Sequence, residues 1–127
     1  MKKLLEWLGF NRHELIKNNR RYFKTFDKDK PFDEYEYVVL DTELTGLDPR
    51  NSEVVSIGAV RVKNLRIMIG GSFFCYARPS KPLPKNSTLI HRITPQQIEK
   101  APPLEDSLPK FIEYCHGAVL VGHFLKI

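Results

Sequence analysis

Cysteine is scarce in this chain. Cys75 and Cys115 are the two in 127 residues, and their spacing matches neither a disulfide framework nor a thiolate metal site. That excludes the small stapled secreted scaffolds and points to reduced core thiols in a cytoplasmic protein. Long hydrophobic runs are also missing, so no membrane span is expected. Met1-Lys2-Lys3-Leu4-Leu5 makes a basic start, but Glu6 follows early and no small-residue cleavage site appears, which argues against a secretory signal. No internal repeat or low-complexity tract is present, which argues against a repeat architecture. Most of the chain lacks an excess of either charge: beyond residue 30, eleven Lys/Arg face eleven Asp/Glu.

The whole net charge of +5 therefore sits on residues 1–30, which hold nine Lys/Arg against four Asp/Glu. Two roles fit such an arm. It can gather nucleic acid through phosphate contacts, or it can be a helical extension whose cations form a solvated face. Leu4, Leu5 and Leu8 give residues 1–8 an amphipathic pattern, closed by Gly9. Residues 14–26 carry Leu15, Ile16, Tyr22, Phe23 and Phe26 at roughly helical spacing. Trp7 either anchors the arm on a partner or membrane surface, or packs on its own domain. Asp27-Lys28-Asp29-Lys30-Pro31 reads as a linker. The division expected is a basic helical extension, 1–32, and a domain, 33–127.

With 42% hydrophobic and 28% charged residues, the chain suits one small globular domain. Tyr37 to Thr42 reads as a first strand, Glu53 to Lys63 as a second, and Arg66 to Tyr76 as a third interrupted by a bulge at Gly70-Gly71. Residues 78–84 form an extended proline-rich loop. Thr94-Pro95-Gln96-Gln97 has the signature of a capping box with proline at the first helical position, opening a short helix. A second helix is expected over roughly Leu104 to Cys115, delayed or kinked by Pro109. Ala118 to Val121 then makes a short buried strand. Short turns make the first three strands an antiparallel meander. The fourth arrives by a helical crossover, so it should lie parallel to the first. This pattern by itself says only α/β.

The first strand ends in Asp41-Thr42-Glu43. Residues i and i+2 of a strand project from one face, so both carboxylates point to one spot. Such a pair repels itself and is costly to desolvate. A divalent cation relieves the repulsion, and oxygen ligands suit Mg2+ or Mn2+. Taken alone, a D-x-E pair is more often simply a polar strand end.

The wider string Leu40-Asp41-Thr42-Glu43-Leu44-Thr45-Gly46-Leu47 resembles the first motif of the DnaQ-like (DEDD) 3'-5' exonucleases, which include the epsilon proofreading subunit of bacterial DNA polymerase III. Glu53 to Val60 resembles the next strand of that family, His91-Arg92-Ile93-Thr94 its H-x-I-T element, and Val121-Gly122-His123 the start of its second motif. The resemblance covers about residues 36–127. It implies the N-terminal part of an RNase H-like exonuclease fold, truncated at the C-terminus. It further implies hydrolysis of phosphodiester bonds by two divalent ions about 4 Å apart. Asp41 would bridge both ions and Glu43 would hold the one carrying the nucleophile. Thr45, Gly46 and Leu47 would meet the 3'-terminal nucleotide, Thr45 at its hydroxyl and Leu47 against its base, with His91 flanking that base or standing as a surface histidine before a helix cap. The implied partners are a single-stranded 3' end of nucleic acid and a DNA polymerase.

Departures from the family pattern are equally specific. Leu44 stands where a threonine is usual, Ser56 where a strand-two Glu is frequent, and Phe124 where Asn follows the motif's histidine. His123 would be a supporting or structural residue. The spacing H-x-x-x-x-D places a third metal-binding Asp immediately after Ile127, with a His or Tyr and a fourth Asp further on. The 127 residues alone are therefore expected to be inactive and prone to associate. The competing expectation is a non-catalytic nucleic-acid-binding or interaction module of the same fold.

Overall fold

The structure, a computed structural model, describes residues 14–48 and 50–123. The helix expected over residues 1–8, Trp7, and positions 124–127 lie outside the described residues. A helix α1 occupies residues 14–24, and a short 3-10 turn at Phe32–Glu34 leads into the sheet. There follow β1 (Tyr37–Leu44), β2 (Val54–Lys63), β3 (Arg66–Tyr76), α2 (Lys85–His91), α3 (Pro95–Ile98), α4 (Leu104–Tyr114) and β4 (Val119–Val121).

The sheet has the order β3-β2-β1-β4. β1 pairs antiparallel with β2, from Tyr37↔Val62 to Leu44↔Val54, and parallel with β4, from Tyr37↔Val119 to Val39↔Val121. The meander and the parallel fourth strand expected from loop lengths are both present. β1 runs to Leu44, beyond the expected Thr42, because pairing resumes at Leu44↔Val54 after an irregularity. Asn64 and Leu65 form the β2–β3 turn, both at positive φ (50° and 57°), the conformation that matches strand twist in a two-residue hairpin.

Strand alternation separates two faces. Val38 and Leu40 face α4 and pack with Ala59, Phe73, Phe111 and Cys115. A second cluster joins Val55 to Ile93 and Ile98 of the α2–α3 region. Burial pushes the Cys115 thiol up to about 11, so it is an inert core thiol. The bulge at Gly70-Gly71 is larger than a single extra residue. Pairing jumps from Val60↔Ser72 to Val62↔Ile67, which leaves residues 68–71 opposite Arg61. Gly70 has φ +78°, and a Cβ on Gly71 would stand 3.0 Å from the Met68 Cβ.

Arg61 fastens this region. Its Nη1 donates to Glu36 Oε2 at 2.6 Å and its Nη2 to the Tyr114 carbonyl, while the Tyr114 hydroxyl donates to the Gly71 carbonyl. Lys63 lies 3.0 Å from the same Glu36 carboxylate. Its hydrogen bond, followed by that of Arg61, holds Glu36 below the usual carboxylate range.

The structure departs from the sequence reading at three points. α2 lies just past the proline-rich loop, in a stretch to which that reading assigns no element. Asn86, Ser87 and Thr88 are weak helix formers, and Leu89 and Ile90 are exposed, so no amphipathic period announces the helix. Its C-cap Arg92 is left-handed (φ 60°) and donates its N–H to the Thr88 carbonyl at 2.9 Å. β4 is not buried: Leu120 is 48% and Val121 42% exposed, because the strand is an edge with no further strand beside it among the described residues. Pro109 does not delay α4, which already begins at Leu104. Among the described residues, no helix is long and apolar enough to cross a membrane.

Candidate active site

Asp41 and Glu43 lie at the C-terminal end of β1, the inner strand between β2 and β4. They alternate with Leu40 and Thr42, so they occupy the face opposite α4. Asp41 is exposed and Glu43 half-buried. Asp41 stands across from Gly58, which offers no competing side chain, and Glu43 stands across from Ser56, which is buried. An acid in place of Ser56 would thus face Glu43 directly. Among the described residues, neither Asp41 nor Glu43 has a hydrogen-bond or ion-pair partner.

The loop after Glu43 is tied to the start of β2. The Thr45 N–H donates to the Glu53 carbonyl, and the Glu53 N–H donates to Thr45 Oγ1, each at 2.9 Å. Thr45 keeps its own hydroxyl proton to donate. A Cβ on Gly46 would lie 3.2 Å from Ser52 Oγ, so this glycine serves close approach of two chain segments. Asp48 closes the turn by accepting from the Arg50 N–H at 3.0 Å and from Asn51 Nδ2 at 2.6 Å, and these bonds lower its pKa. Leu47 is 94% exposed, an apolar side chain held out at the rim.

Beside this loop lies a cavity of about 230 Å³, lined by Glu43, Thr45, Leu47, Ser87, Ile90 and His91 among others. The structure thus brings together Glu43, Thr45, Gly46, Leu47 and His91; Asp41 shares the strand face of Glu43 but does not line the cavity. His91 Nδ1 accepts the Ile93 N–H at 3.0 Å, which assigns the ring proton to Nε2 in the neutral form. Nε2 is buried without a partner. A buried donor left unmade costs about 1–3 kcal/mol, a cost that a partner reaching this nitrogen would remove. Ser87 and Ile90 were not anticipated as lining residues, because they belong to the unannounced α2. Ser87 is already committed, donating to the Pro84 carbonyl at 2.8 Å. His123, two residues beyond Val121, follows β4 at the same end of the sheet and is exposed.

Unpaired carboxylate oxygens on one strand face fit a hard divalent cation in donor chemistry. The set is partial: among the described residues, no three His, Cys, Asp or Glu side chains come together to hold a metal.

A mixed β3-β2-β1-β4 sheet with an acidic pair ending its inner strand, beside a cavity, defines an α/β nuclease-type domain of RNase H-like fold. The chain belongs to the exonuclease family of the RNase T type, whose model matches residues 38–127. It is 41% identical over 90 residues to the PolC-type DNA polymerase III of Caldanaerobacter subterraneus subsp. tengcongensis, a match covering 71% of this chain and 6% of that protein. It is 40% identical over 94 residues to the DNA polymerase III subunit epsilon-like protein of Rhodobacter capsulatus, covering 73% of this chain and 13% of the relative. Among solved structures, exonuclease X in complex with 5' overhanging duplex DNA superposes with a TM-score of 0.57 at 28% identity, over 68% of this chain and 48% of that one. The chain therefore spans a small part of its curated relatives.

Proposed function

We propose that this chain contributes to a 3'-5' exonuclease that removes nucleotides from a single-stranded 3' end, in a cytoplasmic setting of DNA replication, proofreading or repair. One observation carries this reading: the unpartnered Asp41 and Glu43 carboxylates share one strand face, and Glu43 lines a cavity together with Thr45, Leu47 and His91. The polymerase III relatives support a DNA substrate and a polymerase partner. Exonuclease X, in complex with 5' overhanging duplex DNA, supports DNA as the substrate. Residues 1–32 are the proposed helical extension and 33–127 the catalytic portion.

Asp41 and Glu43 would hold the divalent ions, Mg2+ or Mn2+. When bound, such ions polarise a phosphoryl oxygen and lower the pKa of a water. Thr45 donates its free hydroxyl proton to the terminal sugar. Leu47 lies against the last base and excludes water from it. The Nε2–H of His91 donates to the nucleotide in the cavity and so orients it. Two carboxylates hold a hard cation only loosely, with water in the other positions, so the activity belongs to a chain that supplies further acidic ligands.

The direct test is a single strand labelled at its 5' end, incubated with full-length protein and Mn2+. The expected product is a ladder of labelled strands shortening from the 3' end, abolished in Asp41→Asn. Release of the labelled terminal nucleotide first, or undiminished trimming by Asp41→Asn, would refute the assignment.

A further inference from the structure

We infer that α1 is a second nucleic-acid contact, a cationic stripe that grips the sugar-phosphate backbone only of strands long enough to reach it from the acidic pair. The inference rests on the exonuclease reading for the position of the 3' end.

Lys17, Arg20, Arg21 and Lys24 fall at i, i+3, i+4 and i+7 of α1, which places them on one helix face. All four are exposed. Lys17 is 3.4 Å from Glu14, but Arg20, Arg21 and Lys24 have no ion-pair partner among the described residues. Like charges at this spacing destabilise a helix, so the stripe opposes folding unless a polyanion meets it.

The other face of α1 is partly occupied, with Ile16, Tyr22 and Phe23 each still exposed. The Tyr22 ring lies 5.1 Å from His116, and its hydroxyl would be 3.5 Å from a Cβ on Gly117. Just past the helix, Phe26 stacks on Tyr35 at 5.4 Å. These rings fix the helix to its own domain and turn the cations outward. A membrane-surface helix needs its apolar face free for the bilayer, and here Tyr22 of that face already packs on His116. A backbone of phosphates needs only the charged face.

The docking point also sets a distance. Tyr35 and His116 precede β1 and β4, which run parallel from there towards the acidic pair. From Tyr37 to Glu43 is about 20 Å at the usual strand rise. A stacked strand advances about 3.4 Å per nucleotide, so at least about six nucleotides separate a 3' end at Glu43 from the stripe, which lies beyond the start of β1.

The test compares full-length wild type with the triple variant Arg20→Gln, Arg21→Gln, Lys24→Gln, using fluorescence anisotropy on a trinucleotide and on a strand of about 20 nucleotides. Expected is unchanged affinity for the trinucleotide and at least a several-fold loss for the long strand. The slope of log affinity against log salt should fall by about two for the long strand, at about 0.7 per lost phosphate contact. The charge-preserving variant Arg20→Lys, Arg21→Lys, Lys24→Arg should retain long-strand binding, which separates loss of charge from loss of fold. Equal losses at both lengths, no loss at either, or weakened binding to phosphatidylserine vesicles in place of the long strand would overturn the inference. If long-strand binding depends on the stripe but no trimming occurs in the 5'-label assay, the stripe stands and the exonuclease reading fails.

Discussion

His91 makes two separable demands on its ring, and two substitutions split them. Nδ1 accepts from the buried Ile93, whose backbone N–H has this one bond at 3.0 Å. Nε2 is an unmet buried donor. In His91→Asn the amide oxygen replaces Nδ1 while the distal donor disappears. Losing the unmet donor relieves about 1–3 kcal/mol, which offsets the smaller volume, so stability should stay within about 1 kcal/mol of wild type. The bond proposed from Nε2 to a nucleotide is lost. A hydrogen bond involving a charged group contributes about 1.5–3 kcal/mol, so affinity for a nucleoside monophosphate should fall about 10- to 150-fold. His91→Gln does the reverse: it keeps a donor near Nε2 and strands the Ile93 N–H, costing about 1–3 kcal/mol of stability while much of the affinity remains. Thermal melts and equilibrium dialysis with Mn2+ and a nucleoside monophosphate, run on both variants, give the comparison. If His91→Asn binds as wild type does, Nε2 does not meet the ligand. If both variants lose stability equally, the assigned tautomer is wrong.

Asp41→Ala should abolish trimming of a labelled strand in the full-length protein while the melting temperature holds or rises, since one of two repelling carboxylates is removed; residual wild-type trimming would exclude it as a metal ligand. Glu36 has a folded pKa below its unfolded value, so its contribution is present near neutral pH and is lost as pH falls below the ordinary carboxylate range. Urea melts from neutral to acid pH should therefore show a shallower decline in Glu36→Gln than in wild type; parallel curves would mean that its pairs with Lys63 and Arg61 contribute nothing. Cys115, buried and raised to about 11, should resist iodoacetamide until the protein unfolds, whereas the half-buried Cys75 should react earlier; the order is readable by mass spectrometry of a time course.

The sheet was largely legible because its cues are local. Val38 and Leu40 alternate with Val39 and Asp41, Asn64 marks a tight turn, and the crossover length forces β4 parallel to β1. The capping box at Thr94 was equally plain: its hydroxyl accepts the Gln97 N–H at 3.4 Å and its N–H donates to the Gln97 side chain at 2.8 Å. Strand period alone places Asp41 and Glu43 on one face. The cavity wall was not legible. Ser87 and Ile90 sit on a helix whose residues carry neither strong propensity nor apolar spacing, so only tertiary placement reveals them. The exposure of β4 was missed for a similar reason. Val119, Leu120 and Val121 signal a strand, but their burial depends on what covers an edge, which no local pattern encodes.

The Arg61 fastening and the docking rings of α1 share one end of β1, and the acidic pair occupies the other. One end of the sheet is thus cross-tied by an arginine bridging the approach to β1 and the end of α4, a tyrosine reaching across to β3, and stacked aromatic rings. At the opposite end the loop after β1 is tied by the reciprocal Thr45–Glu53 bonds and by the Glu53 carboxylate accepting from Ser80, while β2 beneath it is held by the Val55–Ile93–Ile98 cluster. Local opening follows the weaker ties. Amide protons of Thr45 and Glu53 should therefore exchange with solvent well before those of Val38 and Ala59. The behaviour this predicts is that of a vice with a fixed heel and a yielding jaw, the loop of Thr45 to Leu47 opening locally while the heel keeps the strands in register.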